Sequence, residues 1–156
     1  HGWYDKRFMY EESLITPFIM KLPNRDSSLV NSNLAMNLDF APTILDYAGV
    51  DVPEDMQGKS LKPVLEGEGF NRKGQYYHYY EFPHGWHSVK KHYGVRTRAF
   101  KLIHYYDEVD EWEMFDLKKD PSEMNNIYGL EEYQIEQEKL HSLLNELKSQ
   151  YKDSIP

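Results

Sequence analysis

Lys6 is the first side chain whose type and setting suggest chemistry. It lies in His1-Gly-Trp-Tyr-Asp-Lys, a polar and aromatic stretch without a clear period, which predicts a loop. A lysine in such a loop can bind an oxyanion as a compact positive charge with three hydrogen-bond donors. Exposed lysines paired with nearby acids are far commoner. The residue type alone therefore leaves both interpretations open.

A second group of candidates surrounds Trp86, in a predicted loop between two strands. His84, His87 and His92 could bind a metal ion or hold a proton-transfer base, but their spacings of three and five residues match no closed zinc motif. Rings and imidazoles together could equally form a sugar-binding surface, with rings against C–H faces and imidazoles on hydroxyl groups. A loop that merely carries these side chains is the third interpretation.

Two cations on predicted strands are candidates for an anion contact. Arg96 lies in Gly94-Val-Arg-Thr-Arg98, and Lys101 follows shortly after it. The alternative is cross-strand pairing with Glu81 or Glu113. The residue types permit an anion-binding site without establishing one.

The first third of the chain predicts a buried strand and a helix. The apolar run Leu14–Met20 suits a strand buried on both faces, although Pro17 must then lie at its start or edge. Asp39 is a plausible N-cap for a helix that Gly49 ends. A short helical turn is expected at Leu61–Leu65.

The remainder predicts an antiparallel meander and one long helix. Apolar residues at spacings of 7, 4, 3 and 4 within Leu130–Lys152 indicate an amphipathic helix with one apolar stripe. The fold class is α+β, with a helical first third followed by the four-stranded meander and a long C-terminal helix. The predicted strands are Tyr76–Phe82, Tyr93–Thr97, Phe100–Tyr106 and Trp112–Leu117.

The amino-acid composition excludes several classes of binding partner and of chemical site. The 156 residues include 18 Lys+Arg and 26 Asp+Glu, a net charge of −8, which argues against nucleic-acid backbones and anionic membranes. Without cysteine there is no disulfide, thiolate metal site or Cys nucleophile. No apolar run approaches the roughly 20 residues needed to span a bilayer. The chain begins inside what reads as a motif, so we expect a part of a longer protein.

Three stretches together resemble the type I sulfatases of the alkaline-phosphatase-like superfamily. The first is His1-Gly-Trp-Tyr-Asp-Lys with Thr16-Pro-Phe-Ile-Met. The second joins Leu38-Asp-Phe-Ala-Pro-Thr to Met56-Gln-Gly-Lys-Ser-Leu. The third joins Tyr93-Gly-Val-Arg-Thr to Trp112-Glu-Met-Phe-Asp-Leu. The resemblance covers nearly the whole chain in order. It implies that residues 1–65 are terminal elements of the main sulfatase α/β domain and that residues 66–156 form its C-terminal antiparallel-sheet and helix subdomain.

The resemblance implies a sulfuric ester hydrolase that uses a formylglycine nucleophile and a calcium ion. Lys6 matches the family lysine that contacts the substrate sulfate, because the spacing His-Gly-x-x-x-Lys is kept. The calcium ligands and the nucleophile motif of the family have no match here, so we expect no metal site in this chain and no activity from it alone. Ile15 departs from the arginine that many relatives have before Thr-Pro.

Within the family, Tyr80-Glu-Phe-Pro and His87-Ser-Val-Lys-Lys-His look most like N-acetylglucosamine-6-sulfatases and related glycosaminoglycan sulfatases. That likeness implies a sulfated carbohydrate substrate for the parent. His87 is the first candidate for a substrate contact, His84 and Trp86 follow, and Arg96 is a further candidate. The likeness also implies a periplasmic, secreted or lysosomal location.

Two other functions remain open at this point, a stand-alone carbohydrate-binding module and a related phosphonate or phosphate ester hydrolase. The buried strand predicted at Leu14–Met20 argues against the module, because a lone strand of that kind lacks neighbours. We also expect self-association of the isolated chain through apolar surface left uncovered.

Overall fold

A computed structural model describes residues 7–23, 25–84 and 88–154. They form an α+β fold, as the sequence predicts. The helices are α1 (Glu11–Leu14), α2 (Phe40–Tyr47), α3 (Lys62–Leu65) and α4 (Gln134–Gln150), and the strands are β1 (Gln75–Tyr79), β2 (His92–Arg96), β3 (Phe100–Tyr105) and β4 (Glu111–Asp116). Within the described residues, no helix is long and apolar enough to cross a membrane.

The described residues divide into two compact units. One contains the residues up to Phe18 together with those from Gly74 onward, and the other is Ile19–Lys73. In the first unit the four strands pair antiparallel in the order β1-β2-β3-β4. The predicted meander is confirmed, because each strand pairs with the next along the chain, and aromatic and β-branched residues favour these strands.

Helix α4 covers one face of this sheet. Its buried side chains Leu140, Leu144 and Leu147 pack on Val95 and Leu102. This apolar stripe confirms the helix predicted from spacing, although the helix proper begins at Gln134, after a 3₁₀ turn. Burial of the stripe stabilises the unit, since an isolated helix of this length is marginal in water.

The chain after α4 is tied to the same face. The Tyr76 hydroxyl donates a hydrogen bond to Asp153 Oδ2 at 2.6 Å, and His78 Nδ1 lies 2.5 Å from the same oxygen. The other ring nitrogen of His78 lies 2.8 Å from the Tyr106 hydroxyl. His78 therefore holds the segment after α4 to β1.

The strand predicted at Leu14–Met20 is wrong. Leu14 ends the single turn of α1, and residues 15–20 pair with no strand among the described residues. Ile15 is 63% and Ile19 95% exposed. The apolar run carried no period that could distinguish a strand from extended coil, and Pro17 supplies no N–H to a ladder.

The Ile19–Lys73 unit is organised around a buried carboxylate. Asp39 is fully buried and accepts the backbone N–H groups of Met36 at 2.7 Å and Lys59 at 2.9 Å. Arg72 grips both of its oxygens, with Nη2 2.7 Å from Oδ1. Asp39 directly precedes α2, but its side chain makes no bond to the start of that helix. Asp39 thus occupies the predicted N-cap position of α2, but its carboxylate makes no capping hydrogen bond, because Arg72 and two backbone N–H groups bind it.

Two glycines fit this unit for different reasons. A Cβ on Gly58 would lie 1.9 Å from the Leu38 carbonyl oxygen, so only glycine lets this loop approach residue 38 and place the Lys59 N–H on Asp39. Gly49 has a φ of 71° just past α2, which confirms the predicted helix end.

Candidate functional site

Residues 7–14 lie against the face of the sheet that α4 leaves free. Met9 is fully buried and Tyr10 is 9% exposed, both in an apolar cluster with Ile103 and Phe115. The Tyr77 hydroxyl donates a hydrogen bond to the Arg7 carbonyl at 2.9 Å. This segment follows Lys6 directly, so the sheet holds the chain that leads away from the predicted anion-binding lysine.

Four charged side chains meet under this segment, and we call them the Glu11 cluster: Glu11, Arg96, Lys101 and Glu123. Arg96 donates from Nη2 to Glu11 Oε2 at 2.7 Å and from Nε to Oε1 at 3.2 Å. Lys101 Nζ lies 2.9 Å from Glu11 Oε1 and 2.5 Å from Glu123 Oε1. The backbone N–H of Glu11 donates to Glu123 Oε2 at 2.6 Å.

The Glu11 cluster is almost completely shielded from water. Lys101 is 0% and Glu123 2% exposed. Burial acts to raise the pKa of Glu11, but hydrogen bonds from Arg96 and Lys101 outweigh it and hold that pKa below its usual value. Burial raises the pKa of Glu123 against the opposing effect of Lys101. Two cations and two carboxylates balance, which makes this burial of charge tolerable.

A neighbouring carboxylate binds the segment through a hydroxyl group. Tyr10 donates to Glu113 Oε2 at 2.9 Å, and the Tyr105 hydroxyl lies 3.4 Å from that of Tyr10. Burial raises the pKa of Glu113 above its usual range, although both tyrosines lower it by hydrogen bonding. The segment is thus fixed by polar contacts on either side of its apolar anchor.

Gly94 makes room for that anchor. A Cβ at this position would lie 2.7 Å from Met9 Sδ and 2.3 Å from the backbone oxygen of Leu102. Any larger residue would push both the segment and the neighbouring strand away. This contact explains why a glycine stands in the middle of a buried strand.

His92 lies in a cage of rings on the same face. Its ring centroid is 5.1 Å from that of Tyr105, 5.4 Å from Tyr79, 5.6 Å from Tyr77 and 6.0 Å from Phe8. Nδ1 donates to the Lys90 carbonyl at 2.8 Å, while Nε2 has no hydrogen-bond partner among the described residues. Burial lowers the pKa of His92 to about 4. The neutral imidazole is a packing group here and not a proton-transfer base at neutral pH.

The connection between β1 and β2 carries the predicted histidine loop. His84 is exposed, and its backbone N–H donates to the Glu81 carbonyl at 2.8 Å. The returning arm is tied down, since Lys90 lies 4.0 Å from the Phe82 ring centroid and Lys91 pairs with Asp107 at 3.0 Å. The loop therefore leaves the sheet from a fixed base.

The structure brings some of the predicted site residues together. Arg7 Nε lies 3.7 Å from Glu81 Oε2, so the segment that follows Lys6 meets the base of the loop that carries His84. Arg96 pairs with Glu11 instead of the cross-strand candidates Glu81 and Glu113. Lys6, Trp86 and His87 lie outside the described residues.

Glu11 and Glu123 are the members of the cluster that sequence reasoning missed. Their mutual contact joins residues 112 positions apart, and Arg96 meets Glu11 across 85 positions. No local pattern signals such pairs. The available clue was two strand-borne cations in a strongly acidic chain, which require carboxylates if they are buried.

No group of three or more His, Asp or Glu side chains is placed to hold a metal ion within residues 7–23, 25–84 and 88–154. The calcium ion that the sulfatase resemblance implies for the parent thus finds no ligand set among them. What these residues offer is the segment that follows Lys6 and the base of the loop that carries His84, both on one sheet.

Comparison with known proteins extends over the whole chain. Residues 1–150 match the family described as N-sulphoglucosamine sulphohydrolase, C-terminal. The chain is 57% identical over 161 residues to an N-acetylglucosamine-6-O-sulfatase of Bacteroides thetaiotaomicron, covering 100% of this chain and 29% of that protein. It is 34% identical over 155 residues to arylsulfatase K of Homo sapiens, covering 93% of this chain and 28% of that protein.

The fold agrees with these matches. A protein solved in complex with its substrate D-glucosamine-2-N,6-O-disulfate superimposes with a TM-score of 0.93 at 57% identity, covering 100% of this chain and 32% of that chain. The chain spans less than a third of the length of each of these relatives.

Proposed function

The chain belongs to the sulfatases, in the N-sulphoglucosamine sulphohydrolase C-terminal family, and from this membership we propose that it forms the C-terminal part of a sulfuric ester hydrolase acting on the 6-O-sulfate of a glucosamine unit. The observation that carries the proposal is the likeness of the entire chain, in sequence and fold, to a 6-O-sulfatase of N-acetylglucosamine. The parent reaction adds water to the sulfate ester and releases sulfate and the sugar alcohol.

Lys6 is proposed as the sulfate contact of this part of the enzyme. An ammonium group offsets the negative charge that gathers on the sulfate oxygens as the ester bond breaks. The anchoring of Arg7 by Tyr77 and of Met9 by the sheet supports this role, because a contact of this kind must be held in place.

The loop between β1 and β2 is proposed to contact the sugar. His87 is the first candidate, with His84 and Trp86 beside it, because imidazoles can hydrogen-bond sugar hydroxyls and an indole can cover a C–H face. The exposure of His84 and the tied base of the loop support this role. Arg96, the remaining predicted contact, has its guanidinium on Glu11, so we propose that it serves the site through that carboxylate.

Calcium and formylglycine are proposed only for the parent enzyme. They would supply a Lewis acid and a nucleophile respectively. The chain contains no cysteine, and its described side chains do not fit a calcium site. We propose substrate binding as the part played by this chain, on the family resemblance of Lys6 and of the loop between β1 and β2. A periplasmic, secreted or lysosomal location is proposed for the parent.

Sulfate release from glucosamine 6-sulfate tests the proposal, with the chain alone and with the full-length gene product. We expect turnover only from the full-length enzyme. There, Lys6→Ala should lower kcat/KM by about 100-fold, as loss of a charge-stabilising donor does elsewhere. His87→Ala should lower it by about tenfold. Lys139→Ala is the matched control, because Lys139 is an exposed α4 lysine paired with Glu136, and it should leave kcat/KM unchanged.

A second panel separates the alternatives. The full-length enzyme is offered glucosamine 6-sulfate, a 2-O-sulfated hexuronate and a phosphonate monoester at equal concentrations. A preference for the phosphonate would overturn the assignment to sulfate esters, and a preference for the hexuronate would overturn the 6-O position. Turnover by the chain alone, above that of Lys6→Ala, would contradict the division of roles.

A further inference from the structure

The Glu11 cluster needs a reason beyond stability. Removing a lysine and carboxylates from water is costly, and replacing a buried ion pair by apolar side chains of similar volume is often neutral or stabilising. Lys101 is fully buried, while Ile103, two positions along the same strand face, packs in the apolar cluster. An apolar residue at 101 would therefore have suited the fold. What charges add is directional contact.

Those contacts converge on one residue. Glu11 receives two hydrogen bonds from Arg96, an ion pair from Lys101 and, at its backbone N–H, the grip of Glu123. Both its side chain and its main chain are thus fixed. The apolar anchor Met9 resists withdrawal of the segment but tolerates sliding, whereas these bonds hold only one register.

Glu123 shows independently that its place is demanding. Its backbone φ is 52°, in the left-handed region that a non-glycine residue avoids. The side chain is nevertheless turned inward and buried, with one oxygen on the Glu11 N–H and the other on Lys101. A turn that only had to reverse the chain would favour glycine there. The carboxylate is the reason for a glutamate.

We infer that Lys101 and Glu123 are positioning residues which, by locking Glu11 and α1, fix residues 7–14 and so the point from which Lys6 reaches toward its anion. The segment is held at Arg7 by Tyr77 and at Glu11 by the cluster, five positions after Lys6. The link to Lys6 rests on the proposed function, while the locking of the segment does not.

Amide hydrogen exchange on the full-length protein tests whether Lys101 and Glu123 hold residues 7–14 in place. Glu123→Gln keeps the size and one acceptor oxygen but removes the charge that pairs with Lys101. It should raise the exchange rate of the amides in residues 7–14 at least tenfold and leave those of Val95 and Leu102 within twofold. Asp39→Asn is the matched control, because Asp39 is a fully buried carboxylate paired with Arg72 in the other unit. It should leave residues 7–14 within twofold.

Lys101→Met should raise the exchange rates of residues 7–14 more than Glu123→Gln does. Lys101→Arg keeps the charge and should retain much of the protection. If Lys101→Met does not fold, Glu123→Gln decides alone. Unchanged exchange in residues 7–14 of a folded Glu123→Gln protein would overturn the inference. An equal rise at Val95 and Leu102 would overturn it too, since the cluster would then support the whole sheet.

A kinetic cycle on the full-length sulfatase tests the link to Lys6. Glu123→Gln should lower kcat/KM for glucosamine 6-sulfate about tenfold in the wild-type background. It should lower kcat/KM less than twofold when Lys6→Ala is already present, because the residue it positions is gone. If Glu123→Gln lowered kcat/KM tenfold in both backgrounds, Glu123 would act on the reaction by a route other than Lys6. A wild-type enzyme without sulfatase activity would refute the proposed function, and the exchange result would still stand.

Discussion

The two faces of the β1–β4 sheet are covered in different ways. On one face α4 lays an apolar stripe over Val95 and Leu102. On the other, one turn of helix and a short extended segment are held by Met9, by ring stacking around His92 and by the Glu11 cluster. A long helix can be secured by area alone. A short segment buries too little apolar surface for that, so directional contacts must hold it.

The two faces of the sheet should be sensitive to different changes in side-chain volume. The face under α4 should be sensitive to loss of apolar volume. Leu144, 1% exposed, lies at the centre of the α4 face. Leu144→Ala should lower the free energy of unfolding by about 4 kcal/mol, measured by urea denaturation, because it leaves a cavity. Hydrogen exchange below the unfolding transition should stay unchanged in residues 7–14. Leu143→Ala, at a partly buried position on the same helix, is the matched control and should cost about 1 kcal/mol.

The segment face should instead be sensitive to added volume. Gly94→Ala places a methyl group 2.7 Å from Met9 Sδ and 2.3 Å from the Leu102 carbonyl oxygen. We expect a loss of about 3 kcal/mol in the free energy of unfolding, together with faster hydrogen exchange in residues 7–14. Gly69→Ala is the control, since nothing lies within 4 Å of its Cβ. Equal stabilities of the two variants would show that the segment does not lie tightly on β2.

The same contrast explains what could be predicted from the sequence. The stripe of α4 repeats at the helical period, and aromatic and β-branched residues are concentrated in the strands, so the helix and the meander could be predicted. The contacts of Glu11 and Glu123 have no period and join distant residues. The prediction for Leu14–Met20 was wrong for the opposite reason, because an apolar run without a period does not by itself indicate a buried strand. For Lys6, residue type and setting left two interpretations open, and only the family resemblance favours the sulfate contact.

Asp39 is a second residue whose position in the sequence predicts a local contact. A carboxylate just before a helix predicts a cap, yet Arg72, 33 residues away, and two backbone N–H groups bind it instead. Local rules describe what a side chain can do when nothing else is near. Tertiary partners override them once the side chain is buried.

Acid should weaken the segment face through His92. The pKa of His92 is lowered by burial from 6.5 to about 4, so the unfolded chain binds a proton more readily as the pH falls below 6.5. Stability is then lost with falling pH, by about 2 kcal/mol between pH 8 and pH 5 for this group. Buried Glu113 and Glu123 have raised pKa values and act in the opposite direction.

The contribution of His92 is therefore measured as a difference. His92→Phe keeps a ring in the cage but does not titrate. The free energy of unfolding of the wild type minus that of the variant should therefore fall by about 2 kcal/mol from pH 8 to pH 5. Urea denaturation at both pH values gives this difference. His104→Phe is the control, because His104 lies on the α4 face beside Trp112. A difference for His92→Phe that does not change with pH would show that water reaches the ring.

The smallest effect on stability is expected where neither face of the sheet is involved. Ile19 and Val30 are 95% and 96% exposed in the Ile19–Lys73 unit. Changing both to serine should alter the free energy of unfolding by less than about 0.5 kcal/mol, yet lower the weight-average mass of the isolated chain in sedimentation equilibrium, because exposed apolar side chains drive association. Tyr80→Ser, at a residue 67% exposed beside β1, is the control. If only Tyr80→Ser lowered the mass, the chains would associate through the unit that contains the sheet. The two faces of the sheet would then be less completely covered than the burial of their side chains indicates.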